Sequence, residues 1–161
     1  MKKVLLVLGL IAMTISSFAQ ITILESVDEM TDQKSWYASE RFIAANKTLT
    51  TGCAIDMIID GGNGVRKCSF MAVEMVGLDK CNQDNTLIVL FENGKKFTLK
   101  SWNKFNCKGE AYFTLSKSEI EMLSLYPISK VRITNGRSYK NYTAEIEYKT
   151  YFIEFYKSLN N

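Results

Sequence analysis

Thr86-Leu87-Ile88-Val89-Leu90-Phe91, Glu92-Asn93-Gly94-Lys95 and Lys96-Phe97-Thr98-Leu99-Lys100 run consecutively and decide how this chain folds. The first stretch is continuously apolar and reads as a central strand. Asn93-Gly94 is a hairpin turn, because both residues accept positive φ at little cost. In the third stretch Phe97 and Leu99 alternate with Lys96, Thr98 and Lys100, the period-2 pattern of a strand with one dry and one wet face. A central strand and a lysine-bearing partner therefore form an antiparallel hairpin in the middle of the chain.

The same signals continue in both directions. Upstream, Cys53, Ile55, Met57 and Ile59 share one strand face, with Asp56 and Asp60 on polar positions. Asp60-Gly61-Gly62-Asn63-Gly64 reads as the turn into a strand through Phe70, Met71, Val73 and Val76. Downstream, Ala111, Phe113 and Leu115 mark another strand. Ser116-Lys117-Ser118-Glu119 has capping-box spacing, which starts a short helix that Pro127 closes. Residues 130–134, Asn135-Gly136 and residues 139–148 predict a last hairpin. Phe152, Phe155, Tyr156 and Leu159 then follow the i, i+3, i+4, i+7 rule of an amphipathic C-terminal helix. The expected class is mainly β: an antiparallel sandwich or curled sheet, with a short helix before the last hairpin and a helix at the end.

The N-terminus has a different character. Lys2 and Lys3 precede an apolar run from Val4 to Ile15, followed by Ser16-Ser17-Phe18-Ala19. Charged start, short apolar centre and small residues before a cut are the layout of a secretory signal peptide. Residues 1–19 are thus expected to be removed, and residues 20–161 to form a single domain. No cysteine follows the apolar run, so the expected destination is periplasmic or secreted rather than lipid-anchored, with no stable membrane span after cleavage. Two of the cations behind the formal charge of +3 are Lys2 and Lys3. The mature chain is nearly neutral, which gives no reason to expect nucleic acid as a partner.

Cys53, Cys68, Cys81 and Cys107 are an even set in a chain read as exported, which favours disulfides. More than one connectivity is open. If residues 66–77, 85–92 and 95–101 form a meander, the loops bearing Cys81 and Cys107 leave the sheet at one end and are bridged. Cys53 and Cys68 would then cross the first hairpin. There is no close Cys-x-x-Cys pair and no histidine, so no metal site and no histidine-dependent triad is expected, and nothing implies a cofactor.

No catalytic residue is assigned. Ser101-Trp102-Asn103-Lys104 has S-x-x-K spacing but lies at a strand end, where one helical turn does not bring lysine to serine. Asp56, Asp60, Glu74 and Glu92 are the acids from which a glycan hydrolase would have to draw its carboxylate pair. They sit on strand faces and turns, where acids are ordinarily solvated. Glu25, Asp28, Glu29 and Asp32 lack the calcium-loop pattern. The recognition candidate is residues 95–112: Lys96, Lys100, Lys104 and Lys108 interleaved with Trp102 and Phe105. Lysines beside flat rings hold anionic chains or sugars. A lysine-decorated edge that merely resists aggregation is the structural alternative.

The opening Asp28-Glu29-Met30-Thr31-Asp32-Gln33-Lys34, the Asn93-Gly94 hairpin, the helix at 116–126 and Lys130-Val131-Arg132-Ile133-Thr134 before the last hairpin together resemble small secreted or periplasmic β-sandwich proteins of Bacteroidetes. The opening is also similar to that of periplasmic accessory proteins associated with type VI secretion. The resemblance implies a non-enzymatic envelope role. The leading expectation is a domain that binds an envelope protein or glycan through residues 95–112, with a glycan hydrolase as the alternative. A structural envelope protein is the remaining alternative.

Overall fold

The computed structural model describes residues 20–48, 50–62, 65–77, 81, 84–102, 107–134, 139–144 and 148–161. Its strands are β1 (Ile23–Val27), β2 (Lys34–Ala38), β3 (Phe42–Ala45), β4 (Gly52–Gly62), β5 (Val65–Val76), β6 (Thr86–Phe91), β7 (Lys96–Lys100), β8 (Glu110–Thr114), β9 (Ile128–Thr134) and β10 (Tyr139–Ala144). The helices are α1 (Lys117–Leu125) and α2 (Tyr151–Leu159). The expected class holds: a curled antiparallel sheet with two helices. The signal-peptide reading of residues 1–19 falls outside the described residues.

The long β4–β5 hairpin is the backbone of the sheet. β8 lies on the far side of β5, while β3 and β2 share the other edge of β4, β3 opposite Gly52–Ile55 and β2 at Ile59. From β3 the sheet continues through β10, β9 and β6 to β7, antiparallel at each step. It curls until its ends meet: the Trp102 N–H after β7 donates to the Tyr112 carbonyl of β8 at 3.1 Å. The inward set is continuously apolar, including Phe42, Ile55, Met71, Val73, Leu87, Val89, Phe113, Val131 and Ile133.

β6 is central as its composition requires, but its neighbours are β7 and β9. The expected 66–77/85–92/95–101 meander does not form, because β8 occupies the free edge of β5 over Phe70–Glu74. The Asn93-Gly94 turn is as expected: Gly94 has φ +81° and Asn93 Oδ1 accepts from the Lys95 N–H at 2.9 Å.

The first hairpin differs in detail. β4 runs through Asp60 and Gly61 to Gly62, so the reversal falls between Gly62 and Val65 rather than at Asp60-Gly61-Gly62. Gly61 instead makes room for Trp36: a Cβ there would lie 2.0 Å from the indole ring. That seats β2 on the end of β4. Asp28, in the β1–β2 turn, accepts from the Met30 and Thr31 N–H groups at 2.9 Å, bonds that hold its carboxyl below the usual range. No group of residues able to hold a metal occurs among the described residues.

The two helices pack together against the core. The expected capping box is present, with the Ser116 N–H donating to Glu119 Oε2 at 2.6 Å. α2 buries Tyr151, Phe152, Phe155, Tyr156 and Leu159. Its Ser158 hydroxyl donates to the Ile21 carbonyl at 2.5 Å, tying the segment before β1 to the last helix. No helix among the described residues is long and apolar enough to cross a membrane.

Cys81 and Cys107 form a disulfide. The bond joins the β5–β6 and β7–β8 connections because β7 and β8 meet at the seam, not because β5, β6 and β7 form a meander. Cys53 and Cys68 are free buried thiols, so the expected second bridge is absent. With Gly62 opposite Val65, Cys53 faces Met75 and Cys68 faces Ile59. The two thiols lie roughly 20 Å apart along the ladder, far beyond disulfide reach.

Candidate functional site

β6, β7, β9 and β10 contain Lys96, Lys100, Lys130, Arg132 and Lys140 and no aspartate or glutamate. Period-2 alternation sorts these residues by face. Phe97 and Leu99 point inward and are buried, so Lys96, Thr98 and Lys100 point outward and are exposed. On β9 Val131 and Ile133 are buried, which sends Lys130 and Arg132 out. On β6 Leu87 and Val89 are buried, leaving Ile88 and Leu90 half-covered on the outer face.

The register assembles these positions into rows. Leu90 lies between Lys96 and Lys130, and Ile88 between Thr98 and Arg132, with Asn141 next beyond Arg132. Two aliphatic side chains therefore form a floor with cations on both sides. An open groove of about 360 Å³ results, lined by Ile88, Leu90, Lys96, Lys130, Val131, Arg132 and Asn141. The Arg132 Nε–H donates to Asn141 Oδ1 at 2.5 Å, which fixes the plane of the guanidinium.

Comparison with protein families, with curated proteins and with solved structures finds no match. Function has to be read from these side chains alone.

Of the residues expected in 95–112, Lys96 and Lys100 stand on this face. Trp102 follows at the end of β7, 60% exposed, its ring 5.4 Å from that of Tyr112 and tilted by 34°. Tyr112 donates its hydroxyl to Glu110 Oε2 at 3.0 Å, a bond that, more than its burial, raises the phenol pKa. Lys108 is exposed at the start of the β8 side. Lys104 and Phe105, and with Lys104 the S-x-x-K spacing, lie outside the described residues. Lys130, Arg132 and Asn141 were not expected, although alternation in Lys130-Val131-Arg132-Ile133 already put both cations on one face. What the chain order does not display is that this strand pairs with β6.

Three of the four acids weighed for hydrolysis are engaged in ion pairs. Arg41 donates to both oxygens of Asp56 at 2.7 and 2.6 Å, and to Glu74 Oε2 at 3.0 Å. The Asp56 bonds, foremost, raise the guanidinium pKa. Glu92 accepts from Lys149 Nζ at 2.8 Å. Asp60 is opposite Lys67 on β5. This arrangement holds strands together, and each of the first three carboxylates already has a cation.

Proposed function

We propose that this is an exported, non-catalytic binding domain that holds an anionic component of the cell envelope on the outer face of β7, β6, β9 and β10. The observation that carries the reading is the acid-free groove in which Lys96, Lys130 and Arg132 surround Ile88 and Leu90. Cations ringing an apolar floor favour a ligand with both negative charge and apolar surface, and the local field draws such a ligand in although the chain without residues 1–19 is nearly neutral. Export rests on the N-terminal sequence pattern together with a disulfide, which suits an oxidising compartment. The resemblance to secreted and periplasmic envelope proteins, including the type VI accessory proteins, points the same way.

The test is retention of the purified mature domain on isolated envelope fractions. Binding is expected to weaken as salt rises and to be lost in a Lys96→Gln, Lys130→Gln, Arg132→Gln variant that keeps the wild-type melting temperature. Equal retention of that variant would remove the groove from the function. Export is checked by sequencing the N-terminus of the protein recovered from its host, with Gln20 expected first.

A further inference from the structure

We infer that the ligand of this surface is a linear acidic polysaccharide, with its anionic groups between Lys96, Lys130 and Arg132 and a sugar ring against the Trp102–Tyr112 pair. The inference rests on the binding reading above and specifies the ligand class. Lys96 and Lys130 flank Leu90 from adjacent strands, so their backbones stand about 10 Å apart. Lys100 is four residues along β7 from Lys96, about 13 Å away, and faces outward like it. Positive charge is therefore spread along the strand, which suits an anion repeated along a chain better than a single phosphate.

The aromatic pair lies just past Lys100. Trp102 is held in place through its backbone bond to Tyr112, at the seam that the Cys81–Cys107 disulfide reinforces. A fixed, exposed indole tilted on a phenol is a platform for the apolar face of a ring. Glu110 sits at its margin, bonded to the Tyr112 hydroxyl. A carboxylate there accepts hydrogen bonds from sugar hydroxyls and repels closely spaced phosphates, which favours a glycan over a nucleic acid. An acidic peptide would make no comparable use of the aromatic pair, and the cations stand on a sheet face rather than along a free edge that adds a strand.

The experiment is calorimetric titration of the mature, oxidised domain with polygalacturonate and heparin oligosaccharides, the carboxylated and sulfated probes. Poly-L-glutamate and oligothymidylate of matched charge are run beside them. At least one glycan is expected to bind tenfold or more tightly than either comparator. Trp102→Ala should weaken that glycan about tenfold, Trp102→Phe should recover most of the loss, and neither should shift the melting temperature. Equal binding of poly-L-glutamate and the glycans, or tighter binding of oligothymidylate, with no effect of Trp102→Ala, would overturn the polysaccharide inference while leaving an anion-binding face. If no polyanion binds and Lys96→Gln with Lys130→Gln changes nothing, the binding reading falls with it.

Discussion

Beside β3, β4 and β5 the outward cation Arg41 is matched by Asp56 and Glu74, whereas β6, β7, β9 and β10, strands that contain no acid, set Lys96, Lys100, Lys130 and Arg132 on one face. Both regions belong to one curled sheet, and in both period-2 alternation turns the charged residues outward. The difference is electrostatic closure. On the first, Arg41, Asp56 and Glu74 complement one another within hydrogen-bonding distance, and the network joins the β3–β4 corner to the next strand. On the second, Lys96, Lys130 and Arg132 are gathered around two aliphatic side chains, an arrangement whose positive field suits an external anion.

The comparison breaks most directly if acids are placed on the second face. Lys96→Glu with Lys130→Glu brings opposite charge to both sides of Leu90. Polyanion binding is expected to fall by 100-fold or more, about 2.7 kcal/mol, in calorimetry at low salt. Both residues are exposed, so urea denaturation should report a stability change within about 0.5 kcal/mol. Undiminished binding would place the ligand elsewhere.

The regions also differ inside. Beneath the closed face, β4 and β5 carry the free thiols Cys53 and Cys68, and burial pushes the pKa of each up to about 12 from an ordinary 9.0. A pKa raised by folding means that the native state keeps a proton which the unfolded chain releases. The stability from the buried neutral thiols is complete below pH 9 and is lost as pH rises toward 12. The expected slope between pH 9 and 10 approaches about 1.4 kcal/mol per pH unit for each thiol. Cys53→Ala should roughly halve the slope that the two thiols give together, measured as the urea midpoint across that range. An unchanged slope would mean that Cys53 is not shielded as its position implies.

These interiors show where the sequence is legible. Residues 86–100 read correctly because turn chemistry and alternation are local, and Gly94 and Asn93 act within a few residues of themselves. The helix starting after Ser116 and the apolar stripe of α2 are local in the same sense. Whether Cys53 reaches Cys68 depends instead on where a glycine-rich hairpin reverses. Continuing β4 through Gly61, under Trp36, sets Cys68 against Ile59 and rules the bridge out. Cys81–Cys107 was expected from a meander that does not exist, and it forms because the sheet curls until β7 meets β8. The site divides along the same line. Lys96, Lys100 and Trp102 are visible as a run of cations and rings, while Lys130 and Arg132 join them only through the pairing of β9 with β6.

A smaller effect is expected on the closed face. Arg41→Gln leaves Asp56 and Glu74 close together without their shared cation. All three side chains are nearly half exposed, so solvent screens much of the interaction, and a loss of about 1 kcal/mol is expected in urea denaturation. Anion binding should be unaffected, which makes this variant the control for the charge reversal on the other face. Weakened binding in Arg41→Gln would show that the two regions are not independent.

The smallest expected effect concerns how Arg132 is aimed. Asn141 accepts from its Nε–H and leaves the guanidinium plane fixed over the groove floor beside Ile88. A planar fork held in one orientation meets a carboxylate or sulfate with less ordering on binding than a freely rotating one. Asn141→Ala keeps every charge on the face and removes only this orientation, so polyanion affinity should fall about threefold, on the order of 0.6 kcal/mol. The salt dependence should stay as in the wild type, because the number of cations is unchanged. An Arg132→Lys substitution tests the same point from the other side: if only charge matters it binds like the wild type, and if the fork matters it binds like Asn141→Ala. An acid-free face that works by geometry as well as by charge requires the second result.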